Sequence, residues 1–144
     1  MYVQRVSPDE ALELIEKNDW VYVDVRSVYE FDQGHPRGAY NVPLLHMDER
    51  GSTANPDFLS VMERRFPKDA NLVVGCRTSN RSEHAVVLLA GAGFTNLRLQ
   101  GAGFLGTHDS FGREGLGWSR KGLPTSHEAE PGRSWADLSD KDGE

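Results

Sequence analysis

NLVVGCRTSNRSEHAVVLLAGAG, residues 71–93, is the stretch of sequence that decides the fold. It begins with an apolar, mostly β-branched run at residues 72–74, which Gly75 ends, and this pattern predicts a buried strand. It ends with a helix that is apolar on much of its circumference and for which Ser82 is the expected N-cap. Between the strand and the helix lies Cys76, the only cysteine of the chain.

The loop after Cys76 has the composition of an anion-binding site. A strand–loop–helix turn can aim successive backbone N–H groups and the positive end of the helix dipole at one point. Arg77 and Arg81 flank the cysteine, and all these influences favour the reactive thiolate. A lone cysteine after a strand is often only a small buried hydrophobe, but two arginines within six residues make a poor core. We therefore predict a nucleophilic Cys76 in an oxyanion-binding loop.

Length, charge and cysteine content limit the class of protein. The 144 residues suffice for one domain with a genuine core, and the formal net charge of −6 argues against general nucleic-acid binding. A single cysteine excludes an internal disulfide and a cysteine-rich metal site. The first residues lack the apolar core of a signal peptide, and no stretch has the length of a membrane span. We expect a soluble, cytoplasmic protein that binds neither nucleic acid nor membrane.

Strand-like and helix-like patterns alternate along the chain. The strands are expected at residues 2–6, 20–25, 39–42, 72–74 and 96–100, the last of them edge-like. The helices are expected from a Ser7/Glu10 capping box to Asn18, at residues 27–31, from Asn55 to about Arg65, and after the Cys76 loop. This alternation predicts a three-layer α/β fold, in which a mostly parallel five-stranded sheet carries helices on both faces.

Three segments are expected to lie outside the core. Residues 44–54 are polar and irregular and predict a surface loop. The glycine-rich residues 101–117 predict a second loop at the rim of the site, because no phosphate-loop spacing is present. The chain from residue 126 is polar and acidic, so we expect a loosely ordered tail with anchors only at Trp135 and Leu138. The predicted domain is residues 1–125 and the predicted tail is residues 126–144.

Other polar residues follow the second strand. Asp24 and Arg26 lie at its carboxyl end, where open α/β sheets bind ligands. A structural ion pair between them is favoured over a catalytic role. His35 lies in a Gly/Pro turn, where a histidine more often ties loops together by hydrogen bonds than acts as an acid or base.

Three segments carry a family resemblance. In chain order they are VDVR at residues 23–26 with Glu30 and GHPRGAYNVP at 34–43, then CRTSNRS at 76–82, then GFTNL at 93–97 with Trp118 and GLP at 122–124. They resemble, in the same order, the DVR…E…GH-x-x-GA-x-N-x-P signature, the C-x-x-G-x-R-S active-site loop, and the GF-x-N-V and W…GLP elements of single-domain rhodaneses, which are sulfurtransferase modules.

The resemblance implies a rhodanese-like domain and a two-step sulfur transfer that needs no metal and no organic cofactor. Cys76 would take the outer sulfur of thiosulfate or a similar donor as a persulfide, and cyanide, a small thiol or a protein thiol would remove it. The substrate-binding loop would consist of Arg77, Thr78, Ser79, Asn80, Arg81 and Ser82. The supporting residues would be Asp24, Arg26, Glu30 and His35. Arg77 is the better candidate for donor contact, because Arg81 could instead point toward Asp24 or Glu30.

Two departures and two alternatives accompany this resemblance. Ser79 stands where the family loop has glycine, and residues 104–117 form a longer link than usual. The segment from Cys76 to Arg81 is a six-residue C-x4-R loop, whereas rhodanese-like phosphatases use seven residues, so a phosphatase is the less favoured alternative. A non-catalytic binding or sulfur-carrier module is the other alternative.

Overall fold

The computed structural model describes residues 3–78, 80–108 and 114–140. The helices are α1 (Pro8–Asn18), α2 (Val28–Asp32), α3 (Phe58–Arg65), α4 (Asn80–Gly91) and α5 (Trp135–Ser139). The strands are β1 (Gln4–Val6), β2 (Val21–Asp24), β3 (His35–Pro36), β4 (Tyr40–Asn41), β5 (Leu45–Asp48), β6 (Gly51–Ala54), β7 (Asn71–Gly75), β8 (Asn96–Gln100), β9 (Gly106–His108), β10 (Glu114–Leu116) and β11 (Thr125–Ser126).

A five-stranded sheet with the order β1-β8-β7-β2-β4 forms the middle layer. All four neighbouring pairs are parallel. Strands β2 and β7 lie side by side, with Val23 opposite Val74 and Asp24 opposite Gly75. The chain segments that follow Asp24 and Gly75 therefore leave the sheet at the same carboxyl edge.

Helices cover both faces of the sheet because the side chains of each buried strand alternate between two apolar clusters. On β7, Leu72 and Val74 belong to the cluster that contains residues of α3, α4 and α5. Val73 belongs to the cluster that contains residues of α1 and α2, together with Trp118. The predicted three-layer α/β fold with a parallel sheet is thus confirmed.

The start of α1 follows the local sequence signals. The Ser7 hydroxyl accepts a hydrogen bond of 3.1 Å from the Glu10 N–H, and the Glu10 carboxylate accepts one of 2.9 Å from the Ser7 N–H. This reciprocal capping box satisfies two N–H groups that a helix start leaves without partners. The predicted capping box is confirmed.

Strand β8 lies inside the sheet, because β1 pairs on its outer side. The prediction of an edge strand is wrong. Its alternation of apolar and polar residues has a different cause: the guanidinium of Arg98 stacks over the Trp20 ring at 4.8 Å. From the sequence alone an arginine suggests a solvent-exposed position, although in the fold an aromatic ring covers it.

Residues 44–54 contain a hairpin rather than a loop. Strands β5 and β6 pair antiparallel, with Asp48 opposite Gly51. All four residues of β6 are exposed. Because β6 buries no side chain, no apolar alternation marks it in the sequence.

The glycine-rich segment contains a second hairpin where the sequence predicts a loop. Strands β9 and β10 pair antiparallel, with Leu116 opposite Gly106, and residues 109–113 lie outside the described residues. A Cβ atom on Gly117 would lie 2.4 Å from the Gly106 nitrogen. The two backbones approach so closely at the base of this hairpin that only glycine fits there.

The predicted tail packs against the domain as far as Asp140. Leu138 is buried, and the Arg65 side chain donates hydrogen bonds to the carbonyls of Leu138, Asp137 and Asp140. Trp135 and Leu138 both pack on the core, as predicted. They are not the only anchors, because Arg133 donates to the Gly38 carbonyl and its own carbonyl accepts from the Asn41 N–H. Residues 126–140 are therefore not loosely ordered. Residues 141–144 lie outside the described part of the chain. The domain boundary at residue 125 stays a prediction.

Candidate active site

Cys76 follows β7 directly at the carboxyl edge of the sheet. Its side chain is 2% exposed, and its Sγ lies 3.3 Å from the Ser82 Oγ. Ser82 lies in the first turn of α4, which begins at Asn80, so the prediction of Ser82 as N-cap is wrong. The thiol thus lies beside the amino end of a 12-residue helix, where the helix dipole stabilises negative charge.

The remaining loop residues differ in exposure. Arg77, Thr78 and Asn80 are exposed, whereas Ser82 is fully buried. Ser79, which stands where the family loop has glycine, lies outside the described residues. The structure therefore places Cys76 and Ser82 at the base of the loop and Arg77, Thr78 and Asn80 on its solvent side.

Arg81 binds the scaffold. Its Nη1 and Nη2 donate to the two carboxylate oxygens of Glu30 at 2.6 and 2.9 Å. Burial raises the pKa of Glu30, but hydrogen bonds from Arg81 and Ser27 outweigh it and lower the pKa to about 2. The hydrogen bond to Glu30 likewise raises the pKa of Arg81. The sequence left open whether Arg81 contacts the donor or points toward Asp24 or Glu30. In the structure it contacts Glu30, and this contact ties the start of α4 to α2.

Asp24 and Arg26 form a buried ion pair. The Arg26 Nη2 donates to Asp24 Oδ2 at 2.8 Å and to the Gly34 carbonyl at 2.6 Å. The guanidinium also lies over the Phe104 ring, 4.4 Å from its centre. Burial lowers the pKa of Arg26, but the Asp24 carboxylate outweighs it and the pKa is raised. Both charges therefore have partners within the scaffold.

His35 and Asn41 complete this buried cluster. The His35 ring stacks on Phe31 at 3.6 Å, and its Nδ1 lies 2.7 Å from the Phe31 carbonyl oxygen. The Asn41 amide donates to the carbonyls of Asp24 and Arg26 at 3.1 and 3.0 Å. These contacts hold the loop after β2 against its neighbours, in line with the supporting role predicted for His35.

One residue that contacts the surroundings of the cysteine loop was missed by sequence reasoning. Gln100 ends β8 and is fully buried, and its side-chain amide makes two hydrogen bonds to the backbone of Gly103. The next residue, Phe104, donates its N–H to the Cys76 carbonyl at 2.7 Å. The available signal was a glutamine at the carboxyl end of a strand, immediately before a glycine-rich turn.

Two surface cavities among the described residues lie away from the thiol. One of about 670 Å³ lies between Phe66, Pro67 and Leu138, and one of about 460 Å³ lies between Val3, Phe94 and other residues near β8. Cys76 lines neither of them. The candidate site is instead the loop that follows Cys76, whose backbone surrounds the single thiol. We call this loop the cup.

Comparisons with known proteins agree with this geometry. A family model described as Rhodanese-like domain matches residues 7–108. The chain is 38% identical over 104 residues to Thiosulfate sulfurtransferase 16, chloroplastic, from Arabidopsis thaliana, a match that covers 72% of this chain and 78% of that protein. The crystal structure of Rv0390 from M. tuberculosis is 31% identical with a TM-score of 0.72, and the match covers 89% of this chain and 100% of that chain.

Another relative is matched over a smaller share of its length. Protein HIGH ARSENIC CONTENT 1, mitochondrial, from Arabidopsis thaliana is 35% identical over 83 residues, which cover 58% of this chain and 49% of that protein. The matched part is therefore about half of that relative. Among the described residues, no helix combines the length and the apolar character that a membrane crossing needs.

Proposed function

The chain belongs to the rhodanese-like domain family, and from this premise we propose that it is a sulfurtransferase that carries a sulfane sulfur on Cys76. The observation that carries the proposal is the position of the thiol, beside the amino end of α4 and 3.3 Å from the Ser82 hydroxyl. A hydroxyl and a helix amino end both stabilise an anionic sulfur. The name of the Arabidopsis thaliana relative, thiosulfate sulfurtransferase, supports thiosulfate as the donor.

In the first step, the Cys76 thiolate attacks the outer sulfur of thiosulfate. A bond forms between the Cys76 sulfur and that sulfur, the S–S bond of the donor breaks, and sulfite leaves with the bonding electron pair. The products are a Cys76 persulfide anion and sulfite. Backbone N–H groups of the loop stabilise the charge on the persulfide in the way that an oxyanion hole stabilises an oxyanion.

In the second step, cyanide or the thiolate of a small molecule or a protein attacks the outer sulfur of the persulfide. The bond between the two sulfurs breaks, and its electron pair returns to Cys76 as the thiolate. The product is thiocyanate or a new persulfide. All electrons are accounted for by nucleophile and leaving group, so the cycle uses no metal and no organic cofactor.

The loop residues have separate tasks in this proposal. Arg77 is exposed beside the cysteine and binds the sulfonate of the donor by charge-assisted hydrogen bonds. Thr78, Asn80 and Ser82 form the rest of the cup among the described residues, and Ser79 remains a predicted member of the substrate-binding loop. Arg81 supports the cup and does not bind the donor, because both of its terminal nitrogens bind Glu30.

An intact-mass spectrum of the reduced protein after incubation with thiosulfate tests the proposal. We expect the mass to increase by one sulfur atom, cyanide to remove that increase, and Cys76→Ser to show no increase. Because the chain has one cysteine, the adduct needs no further assignment. Circular dichroism of Cys76→Ser serves as the control for folding.

Two results would contradict the proposal. Sulfur uptake by Cys76→Ser would show that another group carries the sulfur. The absence of uptake by the wild-type protein, with thiosulfate and with mercaptopyruvate, would favour a non-catalytic binding module, and hydrolysis of phosphate esters would favour a phosphatase.

A further inference from the structure

The segment that follows β8 lies along the carbonyl side of the cysteine loop. The N–H groups of Phe104 and Leu105 donate to the carbonyls of Cys76 and Arg77 at 2.7 and 2.9 Å. Gly103 also touches this side, since a Cβ atom there would lie 2.6 Å from the carbonyl oxygens of Arg77 and Thr78. Three successive carbonyls of the loop thus face residues 103–105.

This contact determines the direction of the loop N–H groups. In a planar trans peptide, the N–H points opposite to the C=O of the same peptide unit. The carbonyls of Cys76 and Arg77 point at residues 103–105, so the N–H groups of Arg77 and Thr78 point to the other side. Among the described residues, no backbone carbonyl accepts a hydrogen bond from either of these N–H groups.

The Gln100 side chain holds the supporting segment. Its Oε1 accepts a hydrogen bond of 2.8 Å from the Gly103 N–H, and its Nε2 donates one of 2.9 Å to the Gly103 carbonyl. Nε2 also lies 3.3 Å from the Tyr22 hydroxyl oxygen. Only an uncharged group with both a donor and an acceptor can make this pair of contacts, because an ionised carboxylate donates nothing.

We propose that Gln100 is a positioning residue for sulfur transfer. Through Gly103, Phe104 and Leu105 it turns the N–H groups of Arg77 and Thr78 into the cup, where they stabilise the charge that develops as the persulfide forms. Gln100 touches neither donor nor sulfur and acts only through the backbone. This inference rests on the proposed function of Cys76 and adds to it the part of the molecule that orients the cup.

The test compares Gln100→Met, Gln100→Glu and the control Asn96→Ala. Methionine keeps an uncharged chain of similar length but removes both hydrogen bonds to Gly103. Asn96 is an amide at the other end of β8, where its Nδ2 donates to the Asp69 carbonyl at 2.9 Å. Three quantities are measured for each protein: kcat and KM for thiosulfate, the rate of Cys76 alkylation by iodoacetamide, and the pH profile of kcat.

For Gln100→Met we expect kcat to fall by about 10-fold or more, since misdirected donors no longer stabilise the transition state. The KM for thiosulfate should change less than about twofold, because the Arg77 side chain binds the donor. The alkylation rate should fall much less than kcat, because the Ser82 hydroxyl and the amino end of α4 still stabilise the thiolate. Asn96→Ala should keep the wild-type kcat. Equal kcat in Gln100→Met and wild type, or a loss of alkylation parallel to kcat, would overturn the positioning role.

The pH dependence of kcat in Gln100→Glu distinguishes the positioning role from a purely structural one, because a change in packing alone would not make kcat depend on pH. The protonated carboxyl group can donate and accept like the amide, whereas the ionised one can only accept. The kcat of this variant relative to wild type should therefore be close to one at low pH and fall as pH rises through the titration of the introduced group, whose pKa burial raises. If the ratio of the Gln100→Glu kcat to the wild-type kcat does not change with pH, the proposal is contradicted. This test remains valid even if Gln100→Met fails to fold.

The two proposals fail in different ways. If wild-type protein takes up no sulfur, the proposed function is wrong, and the catalytic role of Gln100 is wrong with it. If wild-type protein turns over and all Gln100 variants match it at every pH, only the positioning role is wrong.

Discussion

The loops after β2 and β7 leave the sheet side by side, yet they are built in opposite ways. Two charged residues lie where β2 passes into its loop: Asp24, the last residue of the strand, and Arg26. They are 1% and 3% exposed and bind each other. The loop after β7 contains an exposed arginine, Arg77, next to a buried thiol. We call the loop after β2 the closed loop, because the charges there bind each other, and the loop after β7 the open loop, because its arginine is exposed.

This difference distinguishes a loop that supports the scaffold from a loop that can bind a ligand. Buried charges must be paired, because an unpaired charge in the interior costs several kcal/mol, so a fully paired cluster has no capacity left for a ligand. The loop after β7 has that capacity, since it offers a thiol, a helix amino end and an exposed cation. The Glu30–Arg81 ion pair joins α2 and α4, the helices that follow the two loops, and so holds the loops beside each other.

The largest effect on stability is expected for the closed loop. Asp24→Ala leaves the Arg26 guanidinium buried without its partner, and we expect the free energy of unfolding to fall by about 3–5 kcal/mol. Urea denaturation measures the loss. The double variant Asp24→Leu/Arg26→Met should recover at least half of it, because it removes both charges. Wild-type stability with lost sulfur transfer in Asp24→Ala would instead place Asp24 in the reaction.

The Glu30–Arg81 ion pair between α2 and α4 should make stability depend on pH. The pKa of Glu30 is about 2 in the folded protein, below its usual value of 4.5. Ionised Glu30 therefore stabilises the fold above pH 4.5, and this contribution, at most about 3 kcal/mol, is lost as pH falls from 4.5 toward 2. We expect Glu30→Gln to unfold more easily than wild type at pH 7 and the difference to shrink over that window.

The partner variant Arg81→Gln is the matched control for this prediction. It removes the other half of the same ion pair, so its stability difference from wild type should shrink over the same pH window. Curves of unfolding free energy against pH that run parallel for wild type and both variants would show that the pair contributes no pH dependence.

The smallest effect is expected for the open loop. Arg77→Ala removes one charge-assisted contact with the donor, so the KM for thiosulfate should rise by about 10-fold, or about 1.4 kcal/mol. The melting temperature should change little, because Arg77 is exposed. Arg50→Ala makes the same charge change on an exposed turn and should leave KM unaltered. An unchanged KM in Arg77→Ala would remove this residue from the donor site.

Local patterns predicted much of the fold and the centre of the candidate site. The apolar run of β7 and the capping box at Ser7 involve residues within a few positions of each other, so their signals lie in the sequence itself. The hairpin β5–β6 was missed because it exposes most of its side chains, and β9–β10 was missed because each strand has only three residues, one of them glycine. Neither hairpin leaves a periodic apolar pattern in the sequence. The cytoplasmic location and the sulfur acceptor stay predictions.

Long-range contacts explain the other differences. Strand β8 reads as an edge because Arg98 is polar, and only the fold brings Trp20 over it. Helix α4 begins before Ser82, where Arg81 is held by Glu30 from another helix. The segment after residue 125 reads as a polar tail because its contacts with Arg65 use backbone carbonyls, which have no signature in the side-chain sequence.

The sequence alone determined the chain order of the five strands of the main sheet and of helices α1 to α4, the parallel sheet, the single thiol and the six-residue loop that holds it. These features follow from residue type, local periodicity and spacing. Only the tertiary structure decided that Arg81 binds Glu30 and that Gln100 holds Gly103 against the cysteine loop. A hydrogen bond of this kind depends on where two distant backbones meet, and that position is set by the packing of the whole sheet.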